Sequence, residues 1–371
     1  MNAIKIIRNI YSNIRCYSTK SYINTHTQQE IILSSNYSPS KCKDILKNET
    51  ISVLGYGPQG KSQALNLRDN DHNVILGLRQ HGNSWNKAIN DGWNPNTNLF
   101  NIDEAAHKGT IIKYLISDVG QIEQWNTIKP FIYPNNTLYF SHGFGIHYKN
   151  YTNIHPPDDI NIIMVSPKCS GKSVREHFLN GTGFTSSYAI HNDINNANEL
   201  CMGLAFAIGN NYIFETTFEH EVISDLTGER CILMGMIQAA FLAQYKVLRT
   251  NGHSPLEAYH ETIEEALSSL YPIIDENGMD WLYKNCSTTA QRGAIDWARV
   301  FEPKLTDMIQ DCYNSVKDET EVKRIIECNK NPDYESILHN ELDDISKQEM
   351  WEIKKQLKKL KSNTKWNGFL L

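Results

Sequence analysis

The chain has no C-x-x-C pair and no cysteine spacing of a zinc site, and eight cysteines in 371 residues do not make a disulfide framework. Reduced thiols in a reducing compartment are expected. A basic excess is also missing, with 36 Lys+Arg against 42 Asp+Glu and a net charge of -6. A protein that grips duplex nucleic acid through a broad basic surface leans the other way. Long hydrophobic runs are absent too. The longest, Cys231 to Ala243, is interrupted by Gln238, falls short of a bilayer span and reads as a buried core helix. The mean hydropathy of -0.47 agrees. What is there, 40% hydrophobic and 21% charged residues, suits a globular protein, and the length favours two domains.

Acids are missing from the beginning of the chain, where none precedes Glu30. That stretch carries Lys5, Arg8, Arg15 and Lys20 among Ser12, Ser18, Thr19 and Ser21. Wound as a helix, Ile4, Ile7, Tyr11 and Ile14 share a face, with Lys5, Arg8 and Arg15 beside it. An acid-free amphipathic start bearing Arg and Ser is the signature of a mitochondrial transit peptide. Residues 1–22 are therefore expected to be a leader to the matrix, with Arg15-Cys16-Tyr17-Ser18 resembling a processing site.

Thr50-Ile51-Ser52-Val53-Leu54 reads as a strand, and Lys61 to Asp69 as a helix. Between them lies Gly55-Tyr56-Gly57-Pro58-Gln59-Gly60, a G-x-G-x-x-G in its proper setting. The glycines permit a tight turn, close backbone approach to a pyrophosphate and close helix–strand packing, and the helix N-terminus faces the phosphates. The next strand, Asn73 to Leu78, ends at Arg79, followed by Ser84 and Lys87. An NAD site places an acid at that strand end, whereas a guanidinium and a hydroxyl suit a 2′-phosphate, so NADP(H) is expected. Further strand-like runs end at Ser117-Asp118-Val119-Gly120-Gln121, at Ser141-His142-Gly143 and at Ser166-Pro167-Lys168. The alternation predicts a doubly wound parallel α/β sheet, with His142 and Lys168 on its carboxyl rim. Histidine is the commonest acid–base group, and a lysine there can polarise an oxygen.

From about Glu215 the pattern turns helical. Asp225 and Glu229 stand at i, i+4, and Glu261 and Glu265 repeat the spacing one helix on, after a Gly252 stop and a Ser254-Pro255 start. No Lys or Arg lies four residues beyond these acids, and Leu226, Ile232, Ile263 and Leu267 flank them. The spacing alone fits two readings, a divalent-cation site and ordinary exposed helix acids.

These segments together resemble the ketol-acid reductoisomerase (acetohydroxyacid isomeroreductase) family, in its short, class I, fungal mitochondrial form. The likeness rests on Gly55 to Gly60 with Ala64-Leu65-Asn66-Leu67-Arg68-Asp69, on Ser141-His142-Gly143-Phe144, and on Thr216-Thr217-Phe218-Glu219 through Ser224-Asp225-Leu226-Thr227-Gly228-Glu229. Tyr271-Pro272, Gly278-Met279-Asp280, Cys286-Ser287-Thr288-Thr289-Ala290 and Asn331-Pro332-Asp333-Tyr334 extend it, so that it runs from about residue 50 to about 366. The resemblance implies a Rossmann-type NADP-binding domain over residues 23–212 and an all-α metal, substrate and dimerisation domain over 213–371. It implies a Mg²⁺-dependent alkyl migration in 2-acetolactate or 2-aceto-2-hydroxybutyrate, followed by reduction with NADPH, at a site holding a pair of Mg²⁺ ions. By match, Asp225 and Glu229 are metal ligands, and Glu261 and Glu265 reach metal or substrate across a dimer interface. Ser287 holds the substrate carboxylate, and His142, Lys168 and Glu229 are catalytic. Arg79, Ser84, Asp118 to Gln121 and Gly171 join the glycine loop in contacting the cofactor. Cys169 departs from the family, which usually has Gly or Ala there.

Two rivals are separable. A β-hydroxyacid dehydrogenase also joins a Rossmann domain to a helical one but needs no metal, so the four acids and a chelator discriminate. A nucleotide-binding structural or nucleic-acid-associated protein would draw on Lys354, Lys355, Lys358, Lys359, Lys361 and Lys365. Net acidity weighs against that grip. Trp351, Ile353, Leu357 and Leu360 instead mark the tail as an amphipathic helix.

Overall fold

The computed structural model describes residues 20–24 and 28–363. The chain divides into two compact units, residues 1–222 and 223–371. The expected leader lies outside the described residues up to Lys20, where an edge strand begins, so its last three positions belong to the sheet.

The first unit is built on ten strands: β1 (Lys20–Asn24), β2 (Gln28–Leu33), β3 (Ile51–Leu54), β4 (Val74–Gly77), β5 (Leu99–Phe100), β6 (Ile111–Tyr114), β7 (Thr137–Phe140), β8 (Asn161–Pro167), β9 (Phe184–Asn192) and β10 (Asn210–Glu215). They lie in the order β1-β2-β10-β9-β8-β7-β6-β3-β4-β5. From β5 to β8 the ladder is parallel, as the alternating pattern predicts. Past β8 the direction reverses, with β9 antiparallel to β8 and β10 parallel to β9, and the β1–β2 hairpin caps the edge. Strand β10 ends at Glu215, beyond the boundary expected at residue 212.

Helices cover both faces, so the inner strands are buried throughout and read as unbroken apolar runs. On β3, Ile51 and Val53 join one core with Ala64, Leu67, Val174 and Leu204, while Leu54 joins the other with Ala105, Trp125 and Phe140.

The second unit is helical, with a small core of Phe241, Tyr245, Ala258, Tyr259, Ile263 and Met350. The expected Ser254-Pro255 start is a capping box: Glu257 N–H donates to Ser254 Oγ at 3.2 Å, and Ser254 N–H to the Glu257 carboxylate at 2.8 Å. The tail is the amphipathic helix Glu349–Asn363, whose Trp351, Ile353 and Leu357 pack on that core.

The apolar run from Cys231 is not the buried helix expected. It breaks into a wide turn over Glu229–Leu233 and a helix over Gly235–Thr250, with Ile232, Leu233 and Met234 57–64% exposed. Taken end to end, Phe218–Thr250 has the length and hydropathy of a bilayer span. Its first half carries Glu219, Glu221, Asp225 and Glu229, which a bilayer interior disfavours.

Candidate active site

The glycine loop stands at the carboxyl end of β3. Gly55 has φ +105°, a region open to glycine, and a Cβ there would meet the Leu115 carbonyl oxygen at 2.6 Å. A Cβ on Gly60 would lie 2.3 Å from the Gly55 oxygen, and one on Gly171 would lie 2.2 Å from the Pro58 carbonyl carbon. At Gly57 the space is open, leaving a cradle that a side chain would fill. Pro58 opens the following helix, Pro58–Asp69, with Gly57 as its N-cap. Tyr56 faces inward, its hydroxyl donating to Asp91 and accepting from Trp93 Nε1, each at 3.0 Å. This loop fits a pyrophosphate.

Arg79 is exposed just past β4 and has no side-chain partner among the described residues. Ser84 stands in the first turn of the Asn83–Asn90 helix. Asp118 opens the Asp118–Ile128 helix. Gln121, expected at the cofactor, stands on the same helix. It is buried, and its amide donates to the carbonyls of Tyr114 and Ile116, each at 3.1 Å, which supports the loop from behind.

His142 and Lys168 follow β7 and β8, and both meet the Glu221 carboxylate, which the sequence reading did not single out. Glu221 is fully buried. Its Oε2 accepts from Gly143 N–H at 2.7 Å and lies 3.1 Å from His142 Nδ1. Its Oε1 accepts from Ser166 Oγ at 2.5 Å and from Lys168 Nζ at 3.4 Å. Burial alone would push the carboxyl pKa up, but hydrogen bonding to His142, the charges of His142 and Lys168, and Ser166 hold it down at about 2. The site carboxylate is therefore ionised across the physiological range. It reaches this position because Thr217 caps the Phe218–Gly228 helix, its Oγ accepting from His220 N–H at 3.0 Å, while Phe218 is buried against Phe140. Glu221, Asp225 and Glu229 form one i, i+4, i+8 series, and that extended series was the available signal.

In the second unit, Glu229 opens the wide turn, and its carboxylate lies 3.5 Å from Arg230, whose Nε donates to Glu321 at 2.8 Å. Glu261 and Glu265 are exposed, and among the described residues they join no cluster of three metal-ligating side chains. Glu264 between them bonds Tyr259 and Lys361. Ser287 caps the Thr288–Lys317 helix, its Oγ accepting from Ala290 N–H at 3.2 Å. Asp225 and Glu229 offer only carboxylate oxygens, which suits Mg²⁺ better than a softer metal.

A glycine loop on the carboxyl edge of a parallel sheet, beside titratable side chains on neighbouring strand ends, defines a dinucleotide-binding domain of the Rossmann class. Residues 45–212 match the family model of the acetohydroxy acid isomeroreductase NADPH-binding domain, and residues 218–363 that of the ketol-acid reductoisomerase C-terminal domain. The chain belongs to the ketol-acid reductoisomerase family. It is 49% identical over 336 residues to the mitochondrial ketol-acid reductoisomerase of Saccharomyces cerevisiae, covering 90% of this chain and 85% of that protein. It is also 49% identical over 326 residues to a ketol-acid reductoisomerase (NAD(+)) of Desulfosudis oleivorans, covering 88% and 93%. A solved NADH-preferring ketol-acid reductoisomerase from an uncultured archean superposes with a TM-score of 0.80 at 28% identity, covering 89% of this chain and 99% of that one.

Proposed function

We propose that this enzyme converts 2-acetolactate to 2,3-dihydroxy-3-methylbutanoate, and 2-aceto-2-hydroxybutyrate to 2,3-dihydroxy-3-methylpentanoate, in valine and isoleucine biosynthesis. The observation that carries this reading is the buried Glu221 with His142 and Lys168 on it, one helical turn before Asp225 and two before Glu229. Bound Mg²⁺ would stabilise the charge that develops on the substrate oxygens during alkyl migration. NADPH would supply the hydride for the reduction that follows.

The residues do the positioning. The ionised Glu221 accepts from His142 Nδ1–H, which leaves Nε2 as the atom that exchanges a proton. The same carboxylate holds Lys168 Nζ beside the strand ends, where it can donate to a substrate oxygen. Ser287 and the opening turn of its helix suit a carboxylate. Asp225 and Glu229 would hold the metal, with Glu261 and Glu265 supplied by a second copy. Their exposure here suits that role, as do the exposed Trp297, Phe301 and Met308 of the Thr288–Lys317 helix, which a homodimer would cover. The acid-free leader and the mitochondrial relatives support a matrix location.

The test is NADPH oxidation with racemic 2-acetolactate, in Mg²⁺ and in chelator, for the parent and for Glu229→Gln. Turnover should require Mg²⁺ and fall at least ~100-fold in the variant, as loss of a metal ligand entails. Equal rates in all four reactions would remove the proposal, and chelator-resistant turnover would favour the dehydrogenase rival. Arg79 bears on the coenzyme. Arg79→Asp should raise KM for NADPH about tenfold or more, the scale of a charge-assisted hydrogen bond, and change KM for NADH little. An equal effect on both coenzymes would refute the 2′-phosphate assignment.

A further inference from the structure

One polar side chain in the first unit joins the glycine loop to the end of β7 yet is aimed at no solvent. Gln63 lies on the helix that the glycine loop opens, and it is fully buried. Its Nε2 donates to Gln59 Oε1 at 3.2 Å, within that loop, and to Ser141 Oγ at 2.9 Å, the residue before His142. Its Oε1 accepts from the Tyr139 hydroxyl at 2.9 Å, on β7. Gln59 in turn donates through Nε2 to the Cys169 carbonyl at 3.1 Å, the residue after Lys168. Two bonded amides thus tie the phosphate loop to the ends of β7 and β8, Gln63 to the first and Gln59 to the second. Burial keeps the Tyr139 phenol protonated, so it remains a donor to Gln63. An amide is the side chain that fits, because the position needs two donors on one side and an acceptor on the other.

We propose that Gln63 is a positioning residue that couples nucleotide binding to the placement of His142 and Lys168. The inference rests on the function proposed above for those two residues, but its decisive measurement does not. A nucleotide that draws on the loop at Gln59 shifts the partner of Gln63, and through Ser141 and Cys169 sets both strand ends. Each bond is neutral, the one from Tyr139 is buried and the others are part-buried, so loss of one leaves the others without a fixed geometry.

The test is NADPH binding without substrate, by calorimetry, for the parent, Gln59→Leu, Gln63→Met and the double variant. Each single change should weaken binding about tenfold. The double variant should be no weaker than about tenfold as well, because the two side chains act as one unit. Backbone amide exchange at His142 and Cys169 should quicken at least about tenfold in Gln63→Met, while the β4 amides keep the parent rate. A Kd within twofold of the parent for Gln63→Met, or a double variant weakened by the product of the singles, would overturn the proposal. So would exchange that quickens equally at β4, the sign of a merely loosened core. Should Gln63→Met not fold, Gln63→Glu keeps the volume and the acceptor for Tyr139 and is held to the same criteria. Failure of turnover with 2-acetolactate in a parent that binds NADPH would remove the function reading and leave this binding cycle decisive for Gln63.

Discussion

Glu221→Gln is expected to lower kcat by about 10²–10³-fold, the loss that follows removal of one preorganised charge-stabilising group. The carboxylate accepts from Gly143 N–H, His142, Ser166 and Lys168 at once. An amide of the same shape has one acceptor oxygen, so its NH₂ must face donors on one side. The change also leaves Lys168 beside a neutral group, and a buried pair broken on one side is destabilised by about 3–5 kcal/mol where it is fully dry. Lys168 is 31% exposed, so the cost here is smaller. Steady-state rates at saturating Mg²⁺ and NADPH measure the effect, and a kcat within threefold of the parent would show that Glu221 does not organise the site. A pH signature accompanies it. The folded-state pKa, about 2, lies below the usual 4.5. Glu221 therefore contributes stability that is fully present above pH ~4.5 and lost as pH falls from there towards 2. The loss of stability on acidification from pH ~4.5 to pH ~3, followed by denaturant unfolding, should be steeper in the parent than in Glu221→Gln.

The second large effect concerns stability. Lys113→Met is expected to raise the melting temperature by several degrees. Lys113 sits on central strand β6, fully buried, with its Nζ 3.8 Å from the centre of the Tyr139 ring. Among the described residues Nζ has no hydrogen-bond partner. Burial pushes its pKa well below the ordinary lysine value. The nearby Cys201 thiol is itself pushed up to about 12 by burial, so it supplies no anion. At a pH between the two values the amine is neutral in the folded chain and protonated in the unfolded one. The penalty vanishes above pH ~10.4, grows as pH falls below it, and levels off at the depressed folded-state value. Within that window parent stability should climb with pH by about 1.4 kcal/mol per unit more than that of the variant. Methionine has similar length and no charge to desolvate. Removing an unpaired buried donor is worth about 1–3 kcal/mol, or roughly 2–4 °C per kcal/mol for a unit of this size. Parallel pH profiles between pH ~9 and pH ~10, directly below the unfolded-state value, would show that the amine is paired after all.

Much of the nucleotide half is written locally. Gly55 and Gly60 admit no side chain, the first because of its φ of +105° and both because backbone lies against them, while Gly57 leaves the open space of the cradle. His142 and Lys168 are placed on the rim by nothing more than the ends of two apolar runs. Other features depend on partners far along the chain. Glu219, Glu221 and Asp225 are alike as a string of acids. Only the packing of Phe218 against Phe140 turns Glu221 inward onto groups 55 and 79 residues away. Lys113 interrupts an apolar strand, and strand alternation cannot tell which neighbour its side chain meets. The run from Cys231 shows the converse, because apolar periodicity registers a surface that water avoids without saying whether the same chain or another covers it. By itself the sequence determined the phosphate cradle, the strands and the residue types available for the chemistry, since these depend on conformations and contacts within a few residues. The tertiary structure decided which acid is buried among the cations and which lysine is left without a partner, because desolvation and charge pairing are set by atoms that only folding brings together.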